Sequence, residues 1–155
     1  MGLMLDTSAV IGWLERGNER VLQEIAKAEL VPCVHLVTVG ELVEGCERVR
    51  PSAGEPSSAT AVFHRRQRVH DFVVGELVIA PAPTLKDAVI FGKISAIVGR
   101  SLSHNDKWIM AAALLGGHLL VTEDAAIAVA YESVRFQNLA VEVGPTARAS
   151  TVALV

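Results

Sequence analysis

The chain has few of the residues that mark specialised protein classes. Only Cys33 and Cys46 are cysteines among 155 residues. Two isolated thiols build neither a disulfide framework nor a zinc-type ligand spacing, and both read as reduced core thiols of a cytoplasmic protein. Charged residues make up only 20% of the chain against 51% hydrophobic, which excludes a disordered polyelectrolyte. Long apolar runs are missing too. The longest stretch, Ile109 to Val121, is broken by Gly116, Gly117 and His118 and falls short of the roughly 20 residues a membrane span needs. No basic region precedes the apolar N-terminus, so a secretory signal is not expected. Positive charge is not in excess: the net charge is −3, which excludes nucleic-acid binding by bulk charge alone. A nucleic-acid enzyme remains open, because an acidic metal site shifts the balance negative.

What is present suggests alternating strands and helices in a single domain spanning 1–155. Met1 to Leu5 reads as a buried strand ending at Asp6, followed at once by a helix from Ser8 to Arg16 that Gly17 stops. Asn18 caps a second helix carrying Val21, Leu22 and Ile25. Leu30 to Val37 is expected to be a second strand, its pairing confined by Pro32 to the part that follows. Thr38-Val-Gly-Glu41 has the form of a capping box opening a third helix to Arg48. Arg50 to Ser58 lacks apolar periodicity and contains two prolines, so it reads as a mobile loop. A helix from Ala59 to about Leu77 and a short strand at Val78 to Ala80 follow. Thr84 to Asp87 and Ser103 to Asp106 repeat the capping pattern and open helices to about Arg100 and Gly116. His118 to Thr122 is another apolar strand, Ala125 to Glu132 a helix and Leu139 to Val143 a last strand, and the tail from Gly144 carries no signal. The alternation implies an α/β fold with a mainly parallel sheet covered on both faces.

Four acids stand out by position. Asp6 and Asp124 lie at strand ends, Glu41 and Asp106 in first helical turns, and parallel strands bring such ends to one edge. Each acid also has a purely structural role open to it, since first helical turns favour acids and Asp124 suits a turn or cap. Together they favour a cation: two like charges about 5 Å apart repel by roughly 3 kcal/mol at an effective dielectric near 20. An all-oxygen donor set suits Mg2+ or Mn2+, ions that take further ligands from substrate phosphates. Thr7, Ser8 and Thr122 are placed either to hydrogen-bond these carboxylates or to cap and turn the chain.

The densest basic stretch is His64-Arg65-Arg66-Gln67-Arg68-Val69-His70. It reads either as a phosphate-tracking surface or as a solvated helix face. Lys93, Arg100 and Lys107 are candidates to hold a substrate phosphate, Lys107 alternatively to neutralise an adjacent carboxylate. His104 is two residues from Asp106 but reads as surface. His35 and His118 are expected in apolar strands as structural residues, and Trp108 as packing.

At Leu5-Asp6-Thr7-Ser8-Ala9-Val10-Ile11, Thr38-Val39-Gly40-Glu41-Leu42, Asn105-Asp106-Lys107-Trp108-Ile109-Met110-Ala111-Ala112 and Leu119-Leu120-Val121-Thr122-Glu123-Asp124, the chain resembles the successive motifs of PIN-domain ribonucleases, in their order and spacing. In size it is similar to the VapC-type toxins of toxin–antitoxin pairs. The resemblance implies a three-layer α/β/α sandwich and a Mg2+- or Mn2+-dependent ribonuclease. Asp6, Glu41, Asp106 and Asp124 carry over as its catalytic and metal-holding acids. It also implies a cognate antitoxin and a homodimer or toxin–antitoxin hetero-oligomer. The chain departs from the pattern at Ala125-Ala126-Ile127-Ala128, where many members have a further acid and a Phe, and at Lys107, where an apolar residue is common. The alternatives are a PIN-like RNA-processing nuclease without antitoxin, a haloacid dehalogenase-like phosphatase with Asp6 as nucleophile, and a non-catalytic RNA- or protein-binding module. Against the phosphatase, Ser8 stands where a second Asp is usual.

Overall fold

A computed structural model describes residues 2–48, 54, 58–136 and 151–153. In chain order they form β1 (Leu3–Leu5), α1 (Thr7–Arg16), α2 (Glu19–Ala28), β2 (Cys33–Val34), α3 (Leu36–Arg48), α4 (Ser58–Glu76), β3 (Val78–Ile79), α5 (Leu85–Val98), α6 (His104–Gly116), β4 (Leu119–Thr122), α7 (Ala125–Phe136) and β5 (Thr151–Ala153). The strands pair in the order β3-β2-β1-β4-β5, and every pairing is parallel. The chain leaves β1 toward β2 on one side, and β4 returns on the other. The gap beyond the carboxyl ends of β1 and β4 is therefore the switch point where open α/β sheets keep their sites.

Alternation along the strands divides the core into two layers. Leu3 and Leu5 of β1, Val34 of β2 and Val121 of β4 pack with Val10, Val21, Leu42, Val69 and Val73 from α1 to α4. Met4, Cys33 and Leu120 face the other way, onto Ile94, Ile109, Met110, Ile127 and Tyr131 of α5, α6 and α7. This is the expected three-layer α/β/α sandwich. No helix among the described residues is long and apolar enough to cross a membrane.

Helix ends follow the expected chemistry where small polar caps are concerned. Asn18 caps α2, Gly17 ends α1 in the left-handed conformation, and both the Thr84 and Ser103 capping boxes form. The expectation at Thr38 fails. The strand predicted over Leu30 to Val37 shrinks to Cys33–Val34, and α3 starts at Leu36, so Thr38 lies buried inside the helix with no hydrogen-bond partner for its hydroxyl. The cap comes instead from His35, whose Nδ1 accepts from the Val37 amide at 3.2 Å. A buried neutral imidazole does the work assigned to a hydroxyl, and Glu41 moves to the second turn. Pro32 does limit strand pairing as expected, although its carbonyl still accepts from Val78 at 2.9 Å. The strand expected at Leu139 to Val143 lies outside the described residues, as does most of the Arg50–Ser58 loop. β5 comes from the tail in which no element was expected, because a three-residue edge strand is too short to show periodicity. The last helix also runs beyond Glu132, to Phe136.

Neither His35 nor His118 is inside a strand: one follows β2 and the other precedes β4. The His118 ring fills a slot between two glycines. A Cβ on Gly2 would stand 2.6 Å from its Nδ1, and one on Gly116 would stand 2.2 Å from its Nε2. Burial lowers the pKa of both histidines below the ordinary 6.5. The unfolded chain therefore takes up these protons first as pH falls. The stability that neutral His35 and His118 contribute is intact above about pH 6.5 and is lost as pH falls through their lowered values. Thermal melts should accordingly show a loss as pH falls below about 6.5 that shrinks in His35→Asn, a variant that keeps an acceptor near the Val37 amide. An unchanged pH dependence in His35→Asn and His118→Asn would refute this. Gly116→Ala should destabilise the fold by about 1–3 kcal/mol in denaturant titration, because the His118 ring must shift to admit the methyl group.

Candidate active site

Asp6 is the last residue before α1 and its N-cap: Oδ1 accepts from the Ala9 amide at 2.8 Å. Its backbone amide continues the sheet ladder to the Val121 carbonyl at 3.1 Å. Asp6 is 1% exposed, yet among the described residues no cation pairs with it. The Ser8 hydroxyl donates to it at 2.8 Å, and Thr122 Oγ1 donates to Oδ2 at 2.5 Å. Burial raises the Asp6 pKa above its ordinary value. The Thr122, Ala9 and Ser8 hydrogen bonds work against that rise, and the charge of Asp106 adds to it. Asp6 and Asp106 therefore sense each other.

Both line one cleft of about 430 Å³, together with Glu41, Asp124, Thr7, Ser8, Ile11, Glu44, Gly45, Arg48, Ser103 and Ile127. The four acids singled out in the sequence are thus brought together. Each is held by a neighbour. Glu41 accepts from Thr7 Oγ1, and from Asn105 Nδ2 at 2.8 Å. Asp106 accepts from Ser103 Oγ at 2.6 Å within the α6 capping box. Asp124 precedes α7 and accepts from the Ala126 amide at 2.7 Å, while its own amide donates to Thr122 Oγ1 at 2.9 Å. The structural roles open to Asp106 and Asp124 are real, and both residues line the cleft as well. Among the described residues, no lysine, arginine or histidine forms an ion pair with any of the four.

The donor set is entirely oxygen, which fits a hard divalent cation rather than zinc or copper. Among the described residues, however, no three acidic, histidine or cysteine side chains are drawn together tightly enough to hold an ion in their present hydrogen-bonded positions. The cleft presents converging acids that their hydroxyl and amide neighbours keep apart.

Two lining residues escaped the sequence reading. Glu44 stands three positions after Glu41, one turn further on the same helix face, and that spacing was the available signal. Arg48, four residues further on, pairs with Glu44. Asn105 appeared only within a motif, and its contact with Glu41 spans 64 positions, beyond any local pattern. At the Ala125–Ala128 departure, Ile127 supplies the lining.

The cations expected near the site are elsewhere. Lys93, Arg100 and Lys107 do not line the cleft. Lys107 is buried, and its ammonium donates to the Gly99 carbonyl at 2.7 Å, so it ties the end of α5 to α6 rather than neutralising Asp106. Its methylene stem occupies the place of an apolar residue. His104 is exposed against the edge of Phe91, and Trp108 stacks on the same ring at 4.5 Å. Next to the cleft, Glu123 turns away from it to Arg16 and Asn18.

The fold superposes on solved structures along nearly its whole length. VapBC-1 from nontypeable Haemophilus influenzae matches with a TM-score of 0.65 and 15% identity, over 99% of this chain and 98% of that one. VapBC2 from Rickettsia felis, bound to a DNA fragment from their promoter, gives 0.63 and 14%, covering 100% of both chains. FitAcB from Neisseria gonorrhoeae gives 0.57 and 19%, over 84% of this chain and 93% of that one. At these identities the likeness is one of fold. No curated protein sequence matches the chain. The family model of the PIN domain matches residues 3–132, so the chain belongs to the PIN domain family, a family of nucleases.

Proposed function

We propose that this chain is a Mg2+- or Mn2+-dependent ribonuclease and the toxin of a toxin–antitoxin pair. The observation that carries the nuclease reading is the buried Asp6 carboxylate, paired with no cation among the described residues and sharing one cleft with Glu41, Asp106 and Asp124. Such a carboxylate is costly to keep ionised unless a cation arrives.

In this reading Asp6, Glu41, Asp106 and Asp124 would hold the ion. When bound, the ion would polarise the scissile phosphodiester and lower the pKa of a water so that its hydroxide form can attack. The remaining work belongs to the protein. Ser8 and Thr122 fix both oxygens of Asp6, so its orientation does not depend on the ligand. Thr7 and Asn105 steer Glu41 from two helices. Ser103 orients Asp106, and the α7 N-terminus orients Asp124.

The partner reading is supported by the neighbours, whose structures are VapBC and FitAB assemblies. It is also supported by an apolar groove of about 440 Å³ between α3 and α4, lined by Val39, Val43, Phe63 and Val74. Phe63 and Val74 are 61% and 69% exposed there, more apolar surface than a chain acting alone has reason to show.

Asp6→Asn should abolish RNA cleavage and Mn2+ binding by calorimetry, without lowering the melting temperature in EDTA near neutral pH. The sign follows from the raised pKa: ionised Asp6 destabilises the metal-free fold, and asparagine removes that charge. Cleavage by Asp6→Asn at the wild-type rate would overturn the assignment. Thr122→Val should reduce activity or Mn2+ affinity by about 10- to 100-fold, as loss of a supporting hydrogen bond to a metal-holding carboxylate does elsewhere. Activity that persists in EDTA would refute the metal dependence.

A further inference from the structure

The basic helix α4 is not uniform. Arg66 pairs with Glu47 and, with His70, lines the apolar α3–α4 groove. Arg65 and Arg68, one turn apart, line a different groove of about 370 Å³ between α1, α3 and α4. That groove shares Ile11, Glu41 and Gly45 with the acidic cleft, so the two adjoin. Arg65 is partly buried and, among the described residues, joins no ion pair. Arg68 is held by Glu15, its Nη2 2.8 Å from Oε1. Gly45 lies at the junction, in mid-helix, with nothing within 4 Å of where a Cβ would stand. Neither packing nor backbone conformation requires a glycine there, and its smallness keeps the passage open.

We propose that this groove is a subsite for the backbone of a single RNA strand, in which Arg65 and Arg68 take a phosphate next to the one at the acids. The proposal rests on the ribonuclease reading above. The Arg65 guanidinium, with no carboxylate partner among the described residues, lines a groove that adjoins the acidic cleft, a placement that suits the next phosphate along a strand. Arg68 reaches a phosphate by releasing Glu15.

The test is equilibrium binding of a fluorescein-labelled mixed-sequence single-stranded RNA to the full chain in EDTA, at several salt concentrations, alongside cleavage of the same RNA in Mn2+. Arg65→Gln and Arg68→Gln should each weaken binding several-fold and reduce the log–log salt slope by about 0.7, irrespective of sequence. Gly45→Leu should weaken binding by blocking the passage, Glu15→Gln should tighten it by freeing Arg68, and Arg66→Gln should leave it unchanged. If wild type binds and cleaves RNA while Arg65→Gln and Arg68→Gln match it in affinity and slope, the subsite is wrong and the nuclease reading stands. If those variants lose affinity for a polyglutamate peptide instead, the groove belongs to an acidic protein segment and the proposal is overturned. If wild type neither binds nor cleaves RNA, the nuclease reading falls and the subsite with it.

Discussion

The structure depends on one carboxylate placed where three elements meet. Asp6 caps α1, follows β1, and is bonded through Thr122 to the end of β4. Its backbone amide belongs to the sheet while its side chain belongs to the site, so the last ladder bond and the first functional group are one residue. An uncompensated buried charge is destabilising, and here it is tolerated because three donors surround it. This arrangement orients the carboxylate without neutralising its charge, as the proposed metal-holding role requires.

The surrounding acids repeat the device with weaker constraint. Glu41 comes from α3, Asp106 from α6 and Asp124 from the β4–α7 junction, and each is steered by a neutral hydroxyl or amide rather than by a basic residue. Neutral partners orient without cancelling charge. The basic residues stand one step away: Arg48 at the rim with Glu44, and Arg65 and Arg68 in the adjoining groove. Separation of signs over adjoining surfaces is what the proposed RNA reading requires of a chain of net charge −3.

Much of this was legible in the sequence because local chemistry carries it. Small polar caps at Asn18, Thr84 and Ser103, the glycine stop at Gly17 and the strand-end position of Asp6 depend on residues a few positions apart. What was not legible has a common physical reason. The cap at Val37 uses an imidazole where the pattern suggested Thr38. Lys107 is a long side chain whose ammonium finds a carbonyl eight positions back, which nothing local announces. The Asn105–Glu41 contact and the sharing of Gly45 by two depressions exist only after α3 and α6 have packed. The acids were found because parallel strands force their ends together. Of their supports, Thr7, Ser8, Thr122 and Ser103 were already candidates in the sequence, and Asn105 was missed because its contact with Glu41 is set by tertiary packing.

The slot that holds His118 has an implication for how this chain can change over time. Two glycines distant in sequence, Gly2 beside β1 and Gly116 at the end of α6, press on opposite sides of one ring. A side chain at either glycine would collide with the imidazole where it now stands. The three positions are therefore expected to covary: a relative with a larger residue at either glycine should carry a small one in place of His118, and the order of substitution should be histidine first.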